Sequence, residues 1–133
     1  MKYAILMLLS LSVSAKCIHS PDRALLARAI YEEANTESDK GKRAVMDVIL
    51  NRTKLRHLSV NGVLIEQSQF SWASKCIRSP DKKMLAIYDR VSRMHPIVPA
   101  KTEYFVRTNM RARWISKLKV VKTIGKHKFM MEK

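Results

Sequence analysis

The feature that most constrains this chain is a glutamate on the apolar stripe of a helix. The stretch Leu25-Leu26-Ala27-Arg28-Ala29-Ile30-Tyr31-Glu32-Glu33-Ala34 contains no proline or glycine. At about 100° per residue, Leu26, Ala29, Ile30 and Glu33 fall on one face. Glu32 falls elsewhere, one turn past Arg28, at the spacing of an i,i+4 ion pair on a wet face. A fold that buries this stripe must also accommodate the carboxylate of Glu33. Burial raises a carboxyl pKa and costs stability unless the group is paired. Two readings follow: a structural carboxylate bonded to backbone or arginine, or a general acid.

The rest of the chain reads as more helix followed by a small sheet. Ser20-Pro21-Asp22 and Ser79-Pro80-Asp81 look like two helix starts, with serine as N-cap and proline at the first helical position. The first helix is expected from Pro21 to Ala34, and Asn35-Thr36-Glu37-Ser38-Asp39 breaks it. A second helix is expected from Asp39 or Lys40 to Thr53. Val45, Val48, Ile49 and Arg52 mark one side, and Lys40, Arg43, Asp47 and Lys54 a polar side. Asp47, with Arg43 one turn before it, reads as a solvated pair. Val60 to Gln67 suggests a short third helix or turn, followed by the aromatic-amide cluster Gln69-Phe70-Ser71-Trp72. A fourth helix is expected from Pro80 to Met94, stopped by Pro96 and Pro99. Tyr104-Phe105-Val106, Leu118 to Ile124 and His127 to Met130 are strand-prone, with Gly125-Lys126 as a turn. Trp114 and Phe129 read as core residues. The expected class is α+β, mainly α, with a small antiparallel sheet near the C-terminus.

Residues 1–15 read as a signal peptide, with Lys2, an apolar run from Tyr3 to Val13 and a small-x-small site at Val13-Ser14-Ala15. The apolar run is short for a membrane span, so no stable transmembrane anchor is expected after cleavage. Residues 16–133 would form one catalytic domain. Export to the periplasm or cell exterior makes a disulfide between Cys17 and Cys76 the expected pairing of the two cysteines. Two free buried thiols are the alternative.

The 133 residues carry a formal net charge of +15, which calls for an anionic partner. An anionic envelope surface fits an exported chain better than nucleic acid, for which no reading motif is present. Several chemistries drop out. There is no phosphate-binding glycine loop and no Gly-x-Ser-x-Gly elbow. His19, His57, His95 and His127 lack metal-ligand spacing, so no metal and no cofactor is expected. What remains suits glycoside cleavage. A general acid needs an apolar setting to hold its proton near neutral pH, aromatic faces stack on sugars, and amides bond acetamido groups.

Four blocks in order resemble the cell-wall hydrolase family of SleB/CwlJ type. They are Leu26 to Ala34 followed by Glu37; Gly41 to Arg52; Val63 to Trp72; and Tyr104, Trp114 and Ile124 to Phe129. The resemblance implies a lysozyme-like fold that cuts peptidoglycan glycan strands; a monomer is expected. It implies Glu33, the glutamate before alanine, as the catalytic residue of a lytic transglycosylase. Gln69, Phe70, Ser71, Trp72, Tyr104 and His127 are the candidate substrate contacts. A muramidase-type hydrolase would need a second carboxylate, for which Glu37, Asp39, Glu66 and Glu103 are candidates. A non-catalytic cationic wall-binding or membrane-binding protein is a third reading. The chain departs from the family pattern at Asn35-Thr36, where Arg-Gly is usual, at Ala112 for proline, and at Met130 for an aromatic residue.

Overall fold

The structure is a computed structural model that describes residues 16–66 and 69–133. The signal segment assigned to residues 1–15 lies outside the described residues. Four helices, α1 (Asp22–Ala34), α2 (Asp39–Arg56), α3 (Val60–Ile65) and α4 (Lys82–Ser92), precede three strands. These are β1 (Tyr104–Arg107), β2 (Leu118–Ile124) and β3 (His127–Glu132). Short 3₁₀ turns cover Ser71–Ala73 and Arg113–Lys117. The mainly helical α+β class is as the sequence indicated.

α2 is the central helix. It packs against α1, α3, α4 and β1. Every residue from Gly41 to Ile49 is buried, so both the apolar side and much of the expected polar side face protein. Ser38 opens it by accepting a hydrogen bond from the Gly41 N–H at 3.2 Å. The core gathers Leu25, Leu26, Ala29 and Ile30 of α1, Val45, Val48 and Ile49 of α2, Val63 and Leu64 of α3, and Phe129 of β3. Such burial stabilises by roughly 1.5–3 kcal/mol per large apolar side chain.

Two readings need correction. The helix starts lie later than the Ser-Pro pairs. Pro21 itself is the N-cap of α1 and makes no side-chain cap. In α4 Asp81 is the cap, accepting from the Met84 N–H at 2.9 Å. Aspartate offers a carboxylate to the positive end of the helix, which serine cannot. Asp47 is also not solvated. It is 4% exposed, and Arg43 Nε donates to its Oδ1 at 2.7 Å. The backbone N–H groups of Ile97 and Val98 donate to its Oδ2 at 2.6 and 3.3 Å.

The sheet has the order β1-β3-β2, antiparallel throughout. Polar groups of α2 hold the chain that leads into β1. Asn51 Nδ2 donates to the carbonyls of Pro99 and Thr102 at 3.0 and 2.9 Å, and Arg52 Nε to that of Glu103 at 2.6 Å. Glu37, in the loop between α1 and α2, accepts from the Lys126 N–H at 3.1 Å. It thus ties the α1–α2 loop to the β2–β3 turn. A Cβ at Gly125, whose φ is +53°, would stand 2.1 Å from Glu37 Oε2, so only glycine fits this turn. The N-terminal side is fastened by the Cys17–Cys76 disulfide, with Cα atoms 5.1 Å apart, and by the Ile18 N–H bonded to the Ile77 carbonyl.

Candidate active site

The arginine-glutamate spacing in α1 resolves as the helical wheel demands. Arg28 pairs with Glu32 at 2.6 Å on the outer side. Glu33 turns the other way, into a cavity of about 450 Å³ between the helices and the sheet. Arg52, Gln69, Phe70, Tyr104, Phe105, Val106, Met110 and Trp114 form the rest of its wall. Among the described residues Glu33 is the one carboxylate that lines it.

Among the described residues Glu33 has a single side-chain donor. Trp72 Nε1 gives its proton to Glu33 Oε1 at 2.9 Å. Burial raises the Glu33 pKa above the ordinary carboxylate range. The Trp72 hydrogen bond and the charges of Arg52 and Arg107 oppose that rise, and the neighbouring Glu32 charge adds to it. The result is a carboxyl that holds its proton to higher pH, with one donor ready for the ionised form.

Arg52 completes the floor. It is 4% exposed, and its guanidinium carbon lies 5.4 Å from the Phe70 ring centre and 5.8 Å from that of Tyr104. Two aromatic faces thus take the place of a carboxylate partner. Burial, with the nearby Arg56 charge, lowers its pKa to about 10. It remains charged at neutral pH.

Of the residues singled out in the sequence, the structure brings Gln69, Phe70 and Tyr104 to the Glu33 cavity, with Phe70 buried and Gln69 exposed. Trp72 stands at its edge, bonded to Glu33 and packed edge-on to Phe70 with ring centres 6.0 Å apart. Ser71 faces a neighbouring hollow that Trp72 also lines. His127 does not reach the cavity. It is buried behind Phe105, ring centres 5.4 Å apart and nearly perpendicular. Its Nδ1 lies 3.4 Å from Glu37 without a hydrogen bond, and burial lowers its pKa, so it is neutral.

Trp114 is a further correction. Phe129 is core, but Trp114 is 46% exposed. The 3₁₀ turn Arg113–Lys117 carries it to the cavity rim beside Tyr104, with ring centres 6.4 Å apart. Met110, 48% exposed, stands on the same rim. Arg52, Phe105, Val106 and Met110 were not singled out as site residues. The strand-prone Tyr104-Phe105-Val106 run was the available signal for two of them. Arg52 ends the apolar side of α2, which was the signal for a buried guanidinium.

The candidate second carboxylates are all engaged elsewhere. Asp39 pairs with Arg90, Glu66 and Glu103 both pair with Arg56, and Glu37 holds the β2–β3 turn.

Comparison with known proteins agrees with this architecture. The spore cortex-lytic enzyme of Oceanobacillus iheyensis is 34% identical over 113 residues, which cover 81% of this chain and 41% of that protein. The chain therefore spans less than half the length of that relative. The catalytic domain of the Bacillus cereus SleB protein matches with a TM-score of 0.65 at 26% identity, over 88% of this chain and 99% of that one. The catalytic domain of the germination-specific lytic transglycosylase SleB from Bacillus anthracis has the same fold, with a TM-score of 0.67 at 24% identity over 84% and 96% of the two chains. A sequence model for cell wall hydrolases matches residues 36–130, a span that begins just after Glu33. With most of its length matched, the chain belongs to the cell wall hydrolase family.

Proposed function

We propose that the protein cleaves peptidoglycan glycan strands between MurNAc and GlcNAc as a lytic transglycosylase, with Glu33 as the one acid and base. The observation that carries this reading is a partly buried carboxyl, its pKa raised, standing alone among aromatic walls. Protonated Glu33 gives its proton to the glycosidic oxygen, and the bond from that oxygen to C1 of MurNAc breaks. C1 gains oxocarbenium character. The ionised Glu33, held by the Trp72 N–H, then takes the proton of the C6 hydroxyl as O6 closes on C1. The product is a 1,6-anhydro ring, Glu33 is again protonated, and no water is consumed. Arg52 lies near enough to favour the ionised form in the second half of the cycle. Phe70, Tyr104 and Trp114 supply faces for sugar rings, and Gln69 an amide for an acetamido group.

One carboxylate suffices for this scheme, whereas direct hydrolysis by a carboxylate pair needs a second across the cleft. The engagement of Asp39, Glu37, Glu66 and Glu103 in other pairs therefore favours the transglycosylase.

The test is mass spectrometry of products from defined peptidoglycan, with the parent and Glu33→Gln. Anhydro-muramyl ends are expected, with the variant slower by about 10²–10⁴-fold. Reducing muramic acid ends would mean hydrolysis. Released peptides with intact glycan, or lysis that survives Glu33→Gln and is abolished by salt, would overturn the assignment.

A further inference from the structure

Trp72 lines one hollow and hydrogen-bonds the carboxylate that faces the next. One of the two is the aromatic cavity of Glu33. The other is a more polar hollow of about 460 Å³, lined by Arg28, Glu32, Ser71, Lys75 and Arg78 among others. The two differ in character. The first holds a carboxyl and five ring faces if Trp72 is counted with Phe70, Tyr104, Phe105 and Trp114. The second holds three cations and one carboxylate.

That carboxylate is already neutralised. Glu32 bonds Arg28 at 2.6 Å, and Arg28 also points at the Met84 sulfur at 3.6 Å. Lys75 and Arg78 are exposed, and among the described residues neither has a carboxylate within 4.0 Å. The hollow therefore has two charges to offer. Cys76 lies between them in sequence and is tied to Cys17, so the segment that carries both is anchored at its middle.

We infer that this cationic hollow is a subsite for the carboxylates of the stem peptide on the glycan strand whose bond lies at Glu33. The inference rests on the proposed reaction at Glu33 and names a second feature of its substrate. The hollow adjoins the Glu33 cavity through Trp72, within the reach of a substituent on a sugar held there. It has the volume for a short peptide and charges complementary to its carboxylates. Such rim charges set selectivity and encounter more than they set the chemistry. Arg28 positions Glu32 and leaves the two outer cations to meet the ligand.

The experiment measures binding and cleavage of soluble glycan strands in two forms. One has free stem-peptide carboxylates, and the other has the same carboxylates chemically amidated. The proteins are the parent, Lys75→Gln/Arg78→Gln, and a control that removes the same charge from β2, Lys119→Gln/Lys122→Gln. The hollow variant is expected to bind free-carboxylate strands about three- to tenfold more weakly. It should bind amidated strands as the parent does, with kcat intact on both. Equal weakening by the β2 control would assign the effect to the overall positive charge and overturn the subsite. An unchanged Kd for the hollow variant, or equal weakening on both strand forms, would overturn it as well. A protein that prefers carboxylated strands through Lys75 and Arg78 yet cuts nothing would instead refute the reaction at Glu33 and leave the subsite standing.

Discussion

Asp47 and Glu33, two carboxylates of the helical half of this molecule, differ in what surrounds them. Asp47 receives a guanidinium and two backbone N–H groups, and its partner Arg43 bonds two further carbonyls at 3.2 and 3.0 Å. Glu33 receives one indole N–H and faces a cavity. A carboxylate whose acceptor sites are filled by fixed donors is held in its place. One with a single donor and an open side retains a choice of protonation state, which an acid-base catalyst needs. Glu33 is also less deeply buried than Asp47, so fewer donors and an open side together separate the group proposed to do chemistry from the structural one.

The comparison is broken most directly at Asp47. Asp47→Ala leaves Arg43 buried without its carboxylate and frees the N–H groups of Ile97 and Val98. Unfolding in urea should show a loss of about 3–5 kcal/mol. The activity of the molecules that remain folded at low temperature should be close to the parent's. A variant of unchanged stability that had lost activity would reverse the roles assigned to the two groups.

The next effect concerns the one donor on Glu33. Trp72→Phe keeps a ring and removes the N–H. Because that bond favours the ionised form, its loss should raise the Glu33 pKa further and move the alkaline limb of the kcat/KM profile to higher pH. A hydrogen bond to a charged group contributes roughly 1.5–3 kcal/mol, so the rate in the base-dependent half of the cycle should fall about ten- to hundredfold. A uniform loss with no movement of the limb would make Trp72 a packing residue only.

The smallest effect sharpens the contrast by stability alone. Glu33 has a raised pKa in the folded protein. Between the unfolded and folded values the folded state binds more protons, so this group's contribution to stability falls as pH rises through that window. Glu33→Gln removes the titration. Thermal melts should show little difference from the parent below about pH 4. A gain of a few degrees for the variant should appear as pH rises past the folded value and then stay constant. A variant less stable than the parent at neutral pH would place Glu33 with Asp47 as a structural carboxylate.

The sequence made one member of this pair legible and hid the other. Glu33 declares itself because a helical wheel is local: Leu26, Ala29 and Ile30 fix which side is inward. Arg28 and Glu32 follow from the same geometry. Asp47 has the i,i+4 arginine of an exposed pair, and that spacing is identical in an ion pair that is buried. What covers it is the Ile97–Val98 backbone, fifty residues away along the chain. The strands and helices were legible from periodicity and turn residues, with errors of a few residues where Asp81 caps in place of serine. Trp114 looks like core by residue type, but a 3₁₀ turn puts it on a rim, and type alone carries no information on which side of a turn is wet. The placement of Arg52 between two rings was hidden for the same reason as Asp47, since its partners arrive on Phe70 and Tyr104.

The strand order fixes when this cleft can exist during folding. β3 is the central strand and comes last, and β1, which carries Tyr104 and Phe105, pairs only with it. The glutamate helix is made early, but the opposite wall of the cavity has no sheet to belong to until the final strand has been added. Long-range pairing of this kind forms late. A chain in which β3 has not yet paired carries Glu33 without a cleft, so the insertion of β3 between β1 and β2 is itself the step that creates the groove.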